Sequence, residues 1–148
     1  MGSGYWRYGL DRLSALCRER QIPLAVLSGE AQPDPNLTAY GTVPAETADR
    51  LWRYFTEGGP ANMGHLLACA ATLAGRPLPH DDPAPVPRFG AYDGWTGSTT
   101  GNATANAPVA AVVFYRSHLL AGDLAPVHAL CDALGARGLA PRPLSSPA

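Results

Sequence analysis

The chain reads as an α/β protein made of incomplete parallel βα units joined by a Pro/Gly-rich linker. Three observations predict this. Two short continuous apolar runs, Leu24-Ala25-Val26-Leu27 and Val109 to Tyr115, have the composition of strands buried on both faces of a parallel sheet. Amphipathic stretches with apolar residues three and four apart flank them. Between them lies a segment holding Pro77, Pro79, Pro83, Pro85 and Pro87, which favours a stiff, extended conformation. The expected division is therefore 1–75 as the helix–strand–helix–helix part of an N-terminal α/β domain. Residues 76–108 are linker and loop, and 109–148 begin a second βαβ domain.

Taken in order, residues 5–20 predict a helix with Trp6, Leu10, Leu13, Leu16 and Cys17 inward, ended by Pro23. The strand Leu24–Leu27 follows and stops at Ser28-Gly29. Residues 29–42 read as a loop, with Gly29, Pro33, Asp34, Pro35 and Gly41. A second helix is expected from Pro44 to Glu57, with Thr42 as a candidate cap and Leu51, Tyr54 and Phe55 inward. A third runs from Asn62, its candidate N-cap, to Ala74. It carries no charged residue and is expected to be covered on most sides. After the linker, a short strand is expected near Ala91-Tyr92, and a full one over Val109 to Tyr115. Asp123 is then expected to cap a helix reaching Arg137, and a third strand to start at Leu139. Three strands divided in this way leave sheet borders open, as in a slice of a larger protein.

Composition narrows the function. The 148 residues are 46% apolar and only 16% charged, against about 25% charged in an ordinary domain. Such a surface suits coverage by other polypeptide. The 11 basic residues are all arginine, which excludes a P-loop lysine, a Schiff-base lysine and a lysine general base. With a net charge of −1 and no basic block, nucleic acid is not an expected partner. No apolar run approaches the ~20 residues that span a bilayer, and no signal-peptide core opens the chain. Cys17, Cys69 and Cys131 are far apart and form no CxxC pair. They read as plain buried thiols in a reducing compartment, consistent with the cytoplasm.

Chemistry-bearing motifs are sparse. The four histidines lie at 65, 80, 118 and 128 without HxxxH or HExxH spacing, so no metal site is expected. Gly94, Gly97 and Gly101 have no strand-to-helix context for a phosphate loop. No serine stands in GxSxG. Two clusters are candidates for binding. In Tyr5-Trp6-Arg7-Tyr8, the rings of Tyr5 and Tyr8 and the charge of Arg7 suit stacking on, and pairing with, a flat anionic ligand. Tyr115, Arg116 and His118 stand at the carboxyl end of a parallel strand, where α/β sheets gather ligands.

The same residues carry a resemblance. Tyr5-Trp6-Arg7-Tyr8-Gly9-Leu10 is followed by Pro23 to Glu30, Pro33-Asp34-Pro35 and Thr42-Val43-Pro44. Leu51-Trp52, Tyr54, Gly58-Gly59 and Asn62-Met63 come next. Phe114 to Gly122, Ala125-Pro126-Val127 and Ala136-Arg137-Gly138-Leu139 complete the series. In these stretches the chain resembles the N-terminal region of the large subunit of aerobic cobaltochelatase (CobN), a relative of the magnesium chelatase H subunit. The resemblance covers nearly all of the chain except about 76–108.

The resemblance implies a much larger cytoplasmic protein, a ligase that forms metal–nitrogen bonds. Such a protein binds a tetrapyrrole, here hydrogenobyrinic acid a,c-diamide, and inserts Co2+ during cobalamin synthesis. Two AAA+ type ATPase subunits supply ATP hydrolysis. The chain is too short for the family's later domains, where metal insertion is expected, and it lacks the strands that precede the Tyr-Trp-Arg-Tyr helix. It is therefore expected to be a fragment with no turnover and no cofactor of its own, Co2+ and ATP belonging to the whole complex. No catalytic residue is carried over; Tyr5, Arg7, Tyr115, Arg116 and His118 are candidate substrate contacts only. The alternative is a non-catalytic α/β interaction module of the same ancestry.

Overall fold

The first helix shows how few of the apolar residues reach the interior. A computed structural model describes residues 7–30, 32–97 and 107–147, with the backbone alone for Arg7 and Tyr8. Helix α1 (Arg7–Glu19) buries Leu10, Ser14 and Cys17. Leu13 and Leu16, expected inward, are each 40% exposed. Ser14 sits one turn from Leu10 and donates its hydroxyl hydrogen to the Tyr40 carbonyl at 2.7 Å. A buried hydroxyl is tolerated on that face because its hydrogen bond is made. The chain then turns through Gln21, whose φ of 54° is left-handed.

Leu24–Leu27 runs on without a strand partner among the described residues, so the expected strand is corrected to an unpaired segment. A strand requires a neighbour's backbone, which the apolar run itself cannot supply. Hydrogen bonds to Thr42 hold its first residue. The Leu24 N–H donates to Thr42 Oγ1 at 2.7 Å, and the Leu24 carbonyl accepts from the Thr42 N–H at 2.8 Å. Thr42 Oγ1 also donates to the Ile22 carbonyl. Thr42 is thereby spent on this clamp and does not cap the next helix; Pro44 holds that cap position without a side-chain bond. Gly41 suits this close approach, because a Cβ would stand a tight 3.1 Å from both the Leu24 and Thr38 carbonyl oxygens. A single helical turn, α2 (Pro35–Thr38), interrupts the expected loop, capped by Asp34 accepting from the Asn36 N–H.

Helices α3 (Ala45–Glu57) and α4 (Gly59–Leu73) pack together around Leu51, Tyr54 and Cys69. Ala25, Leu27, Leu66 and Leu73 join that core. Phe55, expected inward, is 56% exposed, and Leu67 of α4 is 68% exposed. The absence of charge on α4 thus does not mean burial on most sides. Asn62 is not the cap but lies inside α4, 2% exposed. Its amide clamps Ala84: Nδ2 donates to the Gly58 and Ala84 carbonyls at 2.8 Å each, and Oδ1 accepts from the Ala84 N–H at 3.0 Å. Tyr54 Oη donates to the Asp81 carbonyl, and the Asp81 N–H donates to His65 Nδ1. Residues 76–88 have no regular secondary structure, and these bonds hold part of them on α3 and α4.

The chain divides into two compact units, Met1–Pro85 and Val86–Ala148. The second is built on a three-stranded sheet in the order β1-β3-β2, comprising β1 (Gly90–Ala91), β2 (Val109–Tyr115) and β3 (Ala140–Ser146). β2 and β3 run parallel, with Val112 opposite Pro143 and Phe114 opposite Ser145; β1 is antiparallel to β3. Two helices connect β2 to β3, α5 (Arg116–Ala121) and α6 (Ala125–Gly135). α5 stands where a loop is expected ahead of the Asp123 helix, and Gly122, with a left-handed φ of 70°, closes it. Leu124 rather than Asp123 holds the cap position of α6. Val112, Phe114, Val127 and Cys131 form the core, with Tyr92, Leu119 and Leu134 around it. β2 is buried on this face alone, not on both faces as expected. The three cysteines are free and buried, and burial pushes the Cys131 thiol pKa up, with Asp132 adding to the rise.

Candidate functional site

The carboxyl end of β2 brings three of the expected site residues together. Tyr115 is the last residue of β2 and is 61% exposed. Arg116 opens α5 and donates from Nε to the Pro87 carbonyl and from Nη2 to the Val86 carbonyl, each at 3.0 Å. The guanidinium therefore holds the start of the second unit against the end of β2. His118 stands one turn on, with Nδ1 3.8 Å from Asp123 Oδ2, an ion pair only when the imidazole is protonated. Backbone bonds from Gly122 and Asp123 to the Leu119 and His118 carbonyls fix the loop that carries this carboxylate.

Tyr5 lies outside the described residues. Arg7 begins α1 in the first unit.

Sequence reasoning missed two further clusters. On α6, His128 and Asp132 are one turn apart and face the segment after β1. Tyr92 Oη lies 3.2 Å from His128 Nε2 with the two rings stacked, and Trp95 Nε1 donates to Asp132 Oδ1 at 3.0 Å. The i, i+4 spacing on α6 was visible, but its partners are 36 and 37 residues away. In the first unit, a cavity of about 500 Å³ is lined by Val26, Ser28, Asp34, Thr38, Asp49 and Trp52, among others. Trp52 Nε1 is buried and has no hydrogen-bond partner among the described residues. A buried indole N–H normally finds an acceptor.

These arrangements suit binding and packing. Among the described residues, no three His, Cys, Asp or Glu side chains gather as a metal would require. No helix among them is long and apolar enough to cross a membrane. Tyr54, the best-buried ring, has its phenol pKa raised above 10.0. Desolvation is the main cause, followed by Cys69, with Asp82 and Asp81 adding and Arg50 opposing. It donates a structural hydrogen bond and stays neutral.

The CobN/magnesium chelatase family model matches residues 52–148, and the chain belongs to that family. It is 38% identical over 150 residues to the aerobic cobaltochelatase subunit CobN of Pseudomonas aeruginosa, covering 97% of this chain and 12% of that protein. It is 35% identical over 159 residues to the CobN subunit of a Sinorhizobium species, with the same coverages. The catalytic subunit of cobaltochelatase from Mycobacterium tuberculosis superposes on all of this chain with a TM-score of 0.76 at 31% identity, using 12% of its own length. The chain thus spans about an eighth of the relatives it matches.

Proposed function

We propose that this chain forms part of a cobaltochelatase large subunit, which binds hydrogenobyrinic acid a,c-diamide and inserts Co2+ into it. AAA+ type partner subunits in the cytoplasm supply the ATP hydrolysis. One observation carries the reading: the likeness to two cobaltochelatase subunits extends over 97% of the chain at 35–38% identity. An arginine-only, lysine-free chain without a phosphate loop fits a subunit whose energy comes from partners. The chain itself contributes scaffold and candidate substrate contacts at Tyr5, Arg7, Tyr115, Arg116 and His118. On this reading residues 1–75 belong to one α/β domain and 109–148 open a second.

The test is a hybrid subunit in which this chain replaces the matched stretch of the Pseudomonas aeruginosa relative. With its ATPase partners, ATP, Co2+ and the corrin precursor, the hybrid is expected to insert cobalt, followed by the change in corrin absorbance. The 148-residue chain alone is expected to insert none and to hydrolyse no ATP. A folded hybrid that binds its partners yet leaves the corrin metal-free refutes the assignment, as does turnover by the chain alone.

A further inference from the structure

The sheet of the second unit is finished on one face and bare on the other. In the parallel pair, Val112 and Phe114 share a face with Pro143 and Ser145, all buried under α6. The opposite face carries Val109, Ala111, Val113 and Tyr115 of β2, with Ala140, Arg142 and Leu144 of β3. Val109 is 67% exposed, Val113 65% and Tyr115 61%. Parallel sheets are stable when helices cover both faces. Among the described residues the same strand is also unpaired at its side. β2 stands at the sheet border, seven residues without a charge, proline or glycine, whereas isolated proteins blunt such borders. The other border is the two-residue β1, too short to extend.

One added unit satisfies both needs, and chain handedness says where its parts go. A β–helix–β crossover between parallel strands is right-handed in nearly all proteins. From β2 to β3 the chain steps one way across the sheet, and its helix α6 lies on the Val112/Phe114 face. A strand added on the open side of β2 by a chain leaving β3 steps the opposite way. The same hand then puts the connecting helix on the opposite face, over Val109, Val113 and Tyr115. We infer that this face and border receive a helix followed by a parallel strand, supplied by polypeptide joined downstream of β3. Relatives of which the chain spans 12% contain ample length for it. A second copy of the chain, related by a two-fold axis, would pair β2 with β2 antiparallel and lay no helix on the face. β2 thereby becomes an interior strand, and Tyr115 a residue at the seam between neighbouring elements.

The test compares the 148-residue chain with the hybrid subunit above by amide hydrogen exchange and uses neither cobalt nor ATP. Its failure and that of the chelatase assignment are therefore separable. In the hybrid, the β2 amides that do not face β3 are expected to exchange ~100-fold more slowly than in the chain alone. Val113→Asp is expected to abolish this gain in the hybrid while leaving the melting temperature of the chain alone unchanged. Val109→Thr, a milder change, should reduce the gain without unfolding either protein. Equal β2 exchange in the two proteins overturns the inference. So does Val113→Asp destabilising the chain alone as much as the hybrid. A dimer of the chain alone in light scattering, with β2 already protected, assigns the surface to a second copy instead.

Discussion

The two units are held together by different means. In the unit ending at Pro85, no residue described belongs to a sheet, and long-range order comes from side chains bonding to distant backbone. Ser14 reaches Tyr40, Thr42 reaches Ile22 and Leu24, Asn62 reaches Ala84, and Tyr54 reaches Asp81. In the unit from Val86, the β2–β3 ladder supplies long-range backbone bonds beside the side-chain bonds of Arg116, Tyr92–His128 and Trp95–Asp132, and α6 covers one face. The difference teaches where single changes should hurt. A clamp fails when one polar atom is removed, because its buried partner is then left unpaired. A sheet and helix layer fails when volume is removed from its core.

The largest effect is expected in the sheet unit. Phe114→Ala removes a ring that is 8% exposed and meets Tyr92 edge-on, and should cost about 3–5 kcal/mol in urea denaturation. A loss below 1 kcal/mol would show that this face is not a packed core. Next comes the clamp. Asn62→Leu leaves the Ala84 N–H and two carbonyls without their partner and should cost about 2–3 kcal/mol despite the added apolar volume. Limited proteolysis is then expected to cut within 77–85 faster than in the parent chain. If the Leu variant were as stable as the parent, the polar clamp would carry no weight.

Tyr54→Phe is a smaller cut, about 1 kcal/mol, since the ring stays and one hydrogen bond goes. Its pH dependence is distinctive. The folded phenol pKa lies above the unfolded value of 10.0. The stabilisation is therefore complete below pH 10 and declines as pH rises from there through the folded pKa, because the unfolded chain loses its proton first. A stability–pH curve of parent and Phe variant should run parallel below pH 10 and converge above it. Curves still parallel above pH 10 would show Tyr54 titrating alike in both states. Smallest of all, Leu67→Gln should change stability by less than about 0.5 kcal/mol, since that side chain is 68% exposed. A larger loss would mean that α4 is covered there.

Much of the local structure was legible before any coordinates. β2 spans Val109–Tyr115 as expected, and α3 ends at Glu57 before its glycines. The failures share a cause. Thr42 and Asn62 have cap chemistry, but each found better partners about twenty residues away, and spacing along a chain does not reveal such partners. Helix α5 went unseen because its six residues are too few for a periodic apolar pattern to show. At the candidate site, Tyr115, Arg116 and His118 were found from their place after a strand. The Tyr92–His128 and Trp95–Asp132 pairs were not, since nothing local couples residues so far apart.

By itself, the order of residues determined the α/β class, the family likeness, the apolar runs and the exclusion of lysine chemistry, because these depend on side-chain type and on periods of two to four residues. Only the tertiary structure decided which runs became strands and which faces stayed bare. A strand exists only when another backbone lies beside it, and Leu24–Leu27 has none among the described residues, whereas Val109–Tyr115 has β3.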